Sequence, residues 1–294
     1  MADTALAPVR APHAATWRAL AASPRVLFGA VVLCALALCA LLAPWLAPRD
    51  PVEQDLLYFF LPPFWDDLAD PGYLLGTDSL GRDILSRLIY GARIALVVAL
   101  LAASLACVLG TLLGLVAGFY GGKADMAISR LVDIWMAFPP VLLSVVLVAV
   151  IGAGLQAVII AIVIVDWTRF CRVVRAEVMV QRAQDYVTAA RTMGLARWRI
   201  MLGEVLPNVL PLLIVLLTLE MGIAVVVEAI LSFVGLSVSG DAPTWGGMIA
   251  EGRANVNQAW WLMALPMACV ALTVIALNML GDGLRNALDP VLRR

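Results

Sequence analysis

The chain is short of nearly every residue that does chemistry. Its 294 residues include one histidine, His13, and one lysine, Lys123. A lone histidine in a polar amino-terminal tail excludes a histidine-based metal site, and it excludes a Ser-His-Asp triad within the apolar runs. Of the five cysteines, Cys34, Cys39, Cys107, Cys171 and Cys269, four lie inside apolar runs and none forms C-x-x-C. They read as small buried hydrophobes, so no metal is expected. The lysine stands in "GFYGGKAD". A P-loop needs G-x-x-x-x-G-K-[ST], whereas position 117 is Ala and Lys123 is followed by Ala124. No loop here cradles a nucleotide, so any energy must come from a partner or an ion gradient. Charged residues make up 14% of the chain, against about 25% in ordinary globular domains. No basic run interleaves with aromatics, which excludes nucleic acid as a partner. Asp78 and Asp83, with Arg82 between them, are the nearest approach to paired catalytic carboxylates. The surrounding "GTDSLGRD" instead predicts a turn whose charges pin an external helix at a membrane surface. The expectation is that the chain is not an enzyme and has no catalytic residues.

What is present is apolar: 63% of the residues, gathered in long blocks rather than in amphipathic periods. That pattern predicts an all-α polytopic membrane protein whose apolar surfaces meet lipid. Six transmembrane helices are expected, at about 26–47, 94–119, 131–151, 155–170, 205–231 and 260–280. The first, 22 residues long, covers roughly 33 Å, enough for a bilayer core of about 30 Å. The fourth is shortened by Asp166 and Arg169. The predicted organisation is a tail over 1–25, a first span over 26–47 and an external loop with an interfacial helix over 48–92. A core of five spans over 93–280, with a polar loop over 171–204, and a tail over 281–294 follow.

Charge orients the spans. With both termini in the cytoplasm, 15 of the 20 basic residues fall on the cytoplasmic side, seven of them between Arg169 and Arg199. The external side holds Arg49, Arg82, Arg87, Arg93 and Arg253, and its 48–92 loop carries eight acids. This asymmetry favours that topology.

Two features of the spans stand out. Gly110, Gly114 and Gly118 recur every fourth residue, one step after Ala106, which is a small-residue stripe that lets another helix approach closely, within the chain or across to a partner. Glu220 and Glu228 place charges deep in the fifth apolar run. Charge there is costly, about 2.5–3.5 kcal/mol near the bilayer centre, so the two glutamates are candidates for lining a translocation pathway, or for hydrogen-bonded structural roles.

The polar loop contains "DYVTAARTMGLARWRIMLGEVLPN", residues 185–208, with three arginines. Ala183 to Thr192 lacks Gly and Pro and predicts a short helix. Tyr186, Ala189, Ala190 and Met193 would form one smooth face. Gly194 sits where a helix C-cap favours φ > 0. Helix is expected to resume over Ala196 to Gly203, with Pro207 interrupting it at the mouth of the fifth span. The product is an elbow at the membrane surface.

This stretch resembles the cytoplasmic loop signature of binding-protein-dependent ABC importer permeases: Glu-Ala-Ala, Gly four residues after the second Ala, then a terminal Leu-Pro. The chain matches at Ala189, Ala190, Gly194, Leu206 and Pro207. It departs at Thr188, where the pattern has Glu, and at Glu204, where it has an aliphatic residue, so the acidic contact of the first position is not carried over. "LLGTDSLGRDILSRLIYGARIAL" (Leu74 to Leu96), "EAILSFVGL" (Glu228 to Leu236), "PTWGGMI" (Pro243 to Ile249) and "NMLGDGLRNALDP" (Asn278 to Pro290) are similar to C-type subunits of dipeptide/oligopeptide permeases.

The resemblance implies a type I importer permease with the MetI-like fold in a bacterial inner membrane. It implies a second, homologous permease subunit, two ABC ATPase subunits that bind ATP and Mg, and an external substrate-binding protein. The chain itself would hold no cofactor. Asp185, Tyr186, Thr188, Ala189, Ala190, Arg191 and Gly194 would form the ATPase-coupling segment. The expected substrate is a peptide, dipeptides first, with glutathione or a nickel complex as other solutes of such systems. A proton-coupled secondary transporter using Glu220 and Glu228 is the competing class. It predicts inverted repeats with broken helices, which the sequence does not display.

Overall fold

The computed structural model describes residues 23–237 and 242–288. The tail with Arg10, His13 and Arg18, and Asp289 to Arg294, lie outside the described residues. Among the described residues the regular structure is helical, with one isolated bridge between Thr77 and Asp83.

The α-helices of the described residues are, in chain order, α1 (Pro24–Leu41), α2 (Ala43–Leu46), α3 (Ile84–Tyr120), α4 (Gly122–Met136), α5 (Pro140–Ile151), α6 (Leu155–Arg182), α7 (Asp185–Thr192), α8 (Arg197–Ile200), α9 (Leu206–Phe233), α10 (Trp245–Ala254) and α11 (Trp261–Leu288). A π-helical turn, Met201–Val205, joins α8 to α9, so the chain runs helically from Arg197 to Phe233. Pro207 therefore does not interrupt the helix as expected. It follows closely on the π-helical turn, a local change of hydrogen-bond pattern that accommodates a residue without an N–H.

Among the described residues four helices are long and apolar enough to cross a membrane: α1, α3, the Arg197–Phe233 helix and α11. The predicted third span, 131–151, is not one straight helix. It divides into α4 and α5, which meet at 87°. The cause is Phe138-Pro139-Pro140: each proline pushes its predecessor out of the α region and removes an N–H from the ladder. The 12 residues of α5 reach only about 18 Å. The fourth span also differs. Its apolar run stops at Val165, but the helix continues through Asp166 and Arg169 to Arg182, so the start of the predicted 171–204 loop belongs to this helix. The first span ends at Leu41 rather than Ala47, ahead of Pro44. Residues 281–288 extend α11 rather than beginning a tail.

Two close-packed pairs build the core. In the first, α3 and α6 run parallel, held by the glycine stripe. A Cβ placed on Gly114 would stand 2.8 Å from the Cys171 carbonyl and 2.8 Å from Val174 Cβ; one on Gly118 would stand 2.8 Å from the Arg175 carbonyl and from Val178 Cβ. Gly110 faces Trp167 and Phe170 in the same way. The regular offset along both helices means that glycine is used at each crossing to bring backbone against backbone. In the second pair, α9 and α11 run antiparallel, with Gly281 against Thr218 and Gly222 near Asn278. The outer helix α1 lies antiparallel on α11, where Gly29 meets Ala276 and Leu280. These directions gather the end of α3, the end of α6, α7, and the starts of α1 and α9 at one pole, with α10 and the 48–83 loop at the other.

Candidate functional site

At the first pole the chain turns through the elbow. Helix α7 ends in a Schellman arrangement: the Leu195 N–H donates to the Ala190 carbonyl (3.2 Å) and the Gly194 N–H to the Arg191 carbonyl (3.0 Å). Gly194 has φ +80°, the left-handed conformation that this motif requires and that glycine takes without strain.

Helix α7 is two-sided. Val187 and Ala190 point inward and join Phe119, Phe170, Val178, Ile200 and Val205 in one apolar cluster. Asp185, Thr188, Ala189, Arg191 and Thr192 are exposed, and Met193 is 73% exposed. The predicted smooth face of Tyr186, Ala189, Ala190 and Met193 is thus divided. Ala190 is 3% exposed and Tyr186 half-buried, because the stripe that packs on the core is Val187 and Ala190.

Polar contacts fix the elbow to the spans. Tyr186 donates to Gln181 Oε1 (2.7 Å) and accepts from Asn208 Nδ2 (3.3 Å), joining α6, α7 and α9. Arg182 donates to the Phe119 carbonyl at 2.9 Å, satisfying the end of α3, and the Arg191 guanidinium lies 5.9 Å from the centre of the Phe119 ring. Arg175 pairs with Asp125, fastening α4 to α6. The two departures from the permease signature, Thr188 and Glu204, are both exposed.

Between the poles, α5, α6, α9 and α11 line an open cavity of about 380 Å³. Its wall is aliphatic, with Ser144, Asp166, Arg169 and Asn278 as the polar members. Glu220 is 4% exposed and pairs with Arg169 (Nη1 to Oε2, 3.2 Å) at the edge of this wall. Glu228 is placed differently. It is 1% exposed, accepts from Ser232 (2.5 Å) and Ser237 (3.2 Å), and does not line the cavity. Of the two roles open to the glutamates, Glu228 shows the hydrogen-bonded one, at the end of α9, whereas Glu220 stands in an ion pair beside the cavity.

The sequence reading missed Asp166, Arg169, Ser144 and Asn278 as cavity residues. A signal existed: two opposite charges three residues apart in one apolar run, taken there only as a shortening of the span. Arg169→Met should lower stability by about 1–3 kcal/mol, because it leaves a buried carboxylate without its partner. Adding Glu220→Gln should recover most of that loss. Thermal unfolding of the detergent-solubilised chain distinguishes the two cases; equal melting of single and double variants would refute the coupling.

At the other pole the predicted turn is a buried ionic knot. Asp78 accepts from Arg82 Nε (2.6 Å) and faces Arg87 Nη1 (3.0 Å), while Glu251 of α10 accepts from Ser79 Oγ (2.6 Å) and Arg82 Nη2 (3.0 Å). Asp83 caps α3 through the Ser86 N–H (2.8 Å), and Trp245 Nε1 donates to the Leu88 carbonyl (3.0 Å). These contacts lock the loop and α10 onto α3, which is structural chemistry.

The apolar helical body is that of a membrane protein, and the chain belongs to the family of binding-protein-dependent transport system inner membrane components, whose profile matches residues 110–294. It is an inner membrane protein. Residues 7–63 match the N-terminal TM domain of oligopeptide transport permease C. Among relatives, the chain is 44% identical to the di/tripeptide transport system permease protein DppC of Pseudomonas aeruginosa, over 94% of this chain and 91% of that one. It is 40% identical to the dipeptide transport system permease protein DppC of Haemophilus influenzae over the full length of both. The fold is similar to a chain of the MetNI methionine ABC transporter in an inward facing conformation, with a TM-score of 0.58 and 21% identity over 69% of this chain and 96% of that chain.

Proposed function

We propose that this chain is a permease subunit of an ATP-driven importer of peptides, dipeptides first. It forms half of a translocation pathway together with a second homologous permease. Six spans cross the inner membrane, α4 and α5 together making the third, and both termini face the cytoplasm. The 15-to-5 distribution of basic residues supports this orientation. The chain hydrolyses no ATP itself. Two ABC ATPase subunits carry ATP and Mg, and a binding protein delivers substrate from outside.

The observation that carries the reading is the two-sidedness of α7. Its inner stripe is built into the cluster of α3, α6 and α9, while its outer face of Asp185, Thr188 and Ala189 is exposed. A partner that pushes on that face pushes on the spans, because Tyr186 bonds to α6 and α9 and Arg191 lies over the Phe119 ring of α3. The proton-coupled alternative was built on Glu220 and Glu228, and against it Glu228 is held by two serine hydroxyls and Glu220 by Arg169.

Reconstitution tests the reading. The complete importer in proteoliposomes should accumulate radiolabelled dialanine when ATP is supplied, and should continue to do so after an ionophore collapses the proton gradient. Uptake that follows the proton gradient and ignores ATP would reverse the assignment.

A further inference from the structure

The cavity holds a charge that the fold leaves unused. Asp166 is 4% exposed and lines the cavity, yet among the described residues its carboxylate accepts no hydrogen bond and stands in no ion pair within 4 Å. Buried carboxylates ordinarily have partners, because losing hydration without replacement is costly. Arg169, one turn further along α6, is already committed to Glu220 at 3.2 Å. Arg169 also acts on Asp166 through space, but its close contact is with Glu220, and the Asp166 carboxylate opens onto the cavity. The remaining lining is mainly aliphatic, with Ser144 and Asn278 as its neutral polar members.

We propose that Asp166 is a recognition point for the ammonium group of the solute in transit; the proposal rests on the peptide reading above. A peptide amino terminus is a compact cation with several N–H donors, the chemistry that replaces a buried carboxylate's missing hydration. The aliphatic wall accommodates small side chains, and about 380 Å³ falls within the range of small-molecule sites. Arg169 keeps Glu220 neutralised, so the ammonium is drawn to one carboxylate rather than shared between two. Selection at this point is for a free amino group and is indifferent to side-chain identity.

The test uses the purified complex of this chain with its permease and ATPase partners in nanodiscs, without binding protein. Radiolabelled dialanine and N-acetyl-dialanine, which lacks the ammonium, are compared by equilibrium retention. The wild-type complex should prefer dialanine by about tenfold or more, the factor that one charge-assisted hydrogen bond supplies. Asp166→Asn should remove the preference and Asp166→Glu should keep it, with assembly checked by co-elution of the partner subunits. Equal retention of both peptides by wild type, no retention of dialanine, or an unchanged preference in Asp166→Asn overturns the ammonium site. If Asp166→Asn does not assemble, the wild-type comparison and Asp166→Glu decide, since loss of preference in an assembled Asp166→Glu also overturns it. ATP-driven dialanine uptake by the complete wild-type importer is measured in parallel. Its absence would sink the peptide reading itself, whereas its presence with no preference at the cavity sinks only this proposal.

Discussion

Gly114→Leu will cost the chain its core packing and with it all transport. A single carbon on Gly114 would stand 2.8 Å from a backbone carbonyl of α6 and 2.8 Å from Val174 Cβ. A leucine adds three further carbons, and a backbone carbonyl in a helix cannot rotate away. The two helices must part, and contacts along the whole parallel pair weaken together, since neighbouring crossings at Gly110 and Gly118 rely on the same approach. Gly114→Ala makes the effect graded. Overpacking of this size costs about 1–3 kcal/mol, which for a chain of this length lowers the melting temperature by roughly 2–10 °C. Gly203→Ala is the control, because an added carbon there meets nothing within 4 Å. Melting of the purified variants and dialanine uptake in proteoliposomes read the result. A Gly114→Leu chain that melts with wild type would mean that α3 and α6 do not pack as described.

Several elements were plain in the sequence for a simple reason. Hydropathy sums over a run, and α1, α3, α9 and α11 are runs whose burial in lipid or core needs no knowledge of neighbours. The bend at Pro139 was lost in the same summation. Leu131 to Ile151 is apolar enough for one span, and only the paired prolines report the 87° turn. Helix α6 was underestimated from the opposite side, since Asp166, Arg169 and Arg172 end its hydropathy without ending its helix. Glu220 and Glu228 gave one signal, a carboxylate at membrane depth, and met different fates. Arg169 lies 51 residues from Glu220, whereas Ser232 is one turn from Glu228. The serine partner was readable at i+4; the arginine partner required the packing of α6 on α9. Likewise, the inward side of α7 is chosen by Phe119 and Val205, which no pattern within residues 185–194 specifies.

That choice of side makes adjacent alanines behave differently. Ala189→Arg should leave the chain folded and in the membrane, because position 189 is exposed and the neighbouring Val187 and Ala190 keep their contacts. If α7 is the seat of an ATPase, as proposed, the arginine stands between the two surfaces. A central contact of this kind is worth about 2 kcal/mol or more, so ATPase binding should weaken by roughly 30-fold and ATP-driven uptake should fall with it. Ala190→Leu has no direct access to the ATPase. Its extra carbons enter the cluster of Phe119, Phe170 and Ile200, so it should lower the melting temperature before it alters the docking surface. Co-purification of the ATPase subunits, thermal melting and dialanine uptake are measured on both variants. Normal uptake by Ala189→Arg removes α7 as the coupling element. A silent Ala190→Leu, in melting as well as transport, shows instead that α7 is not seated on the spans, and a push on its outer face then has no route to the cavity.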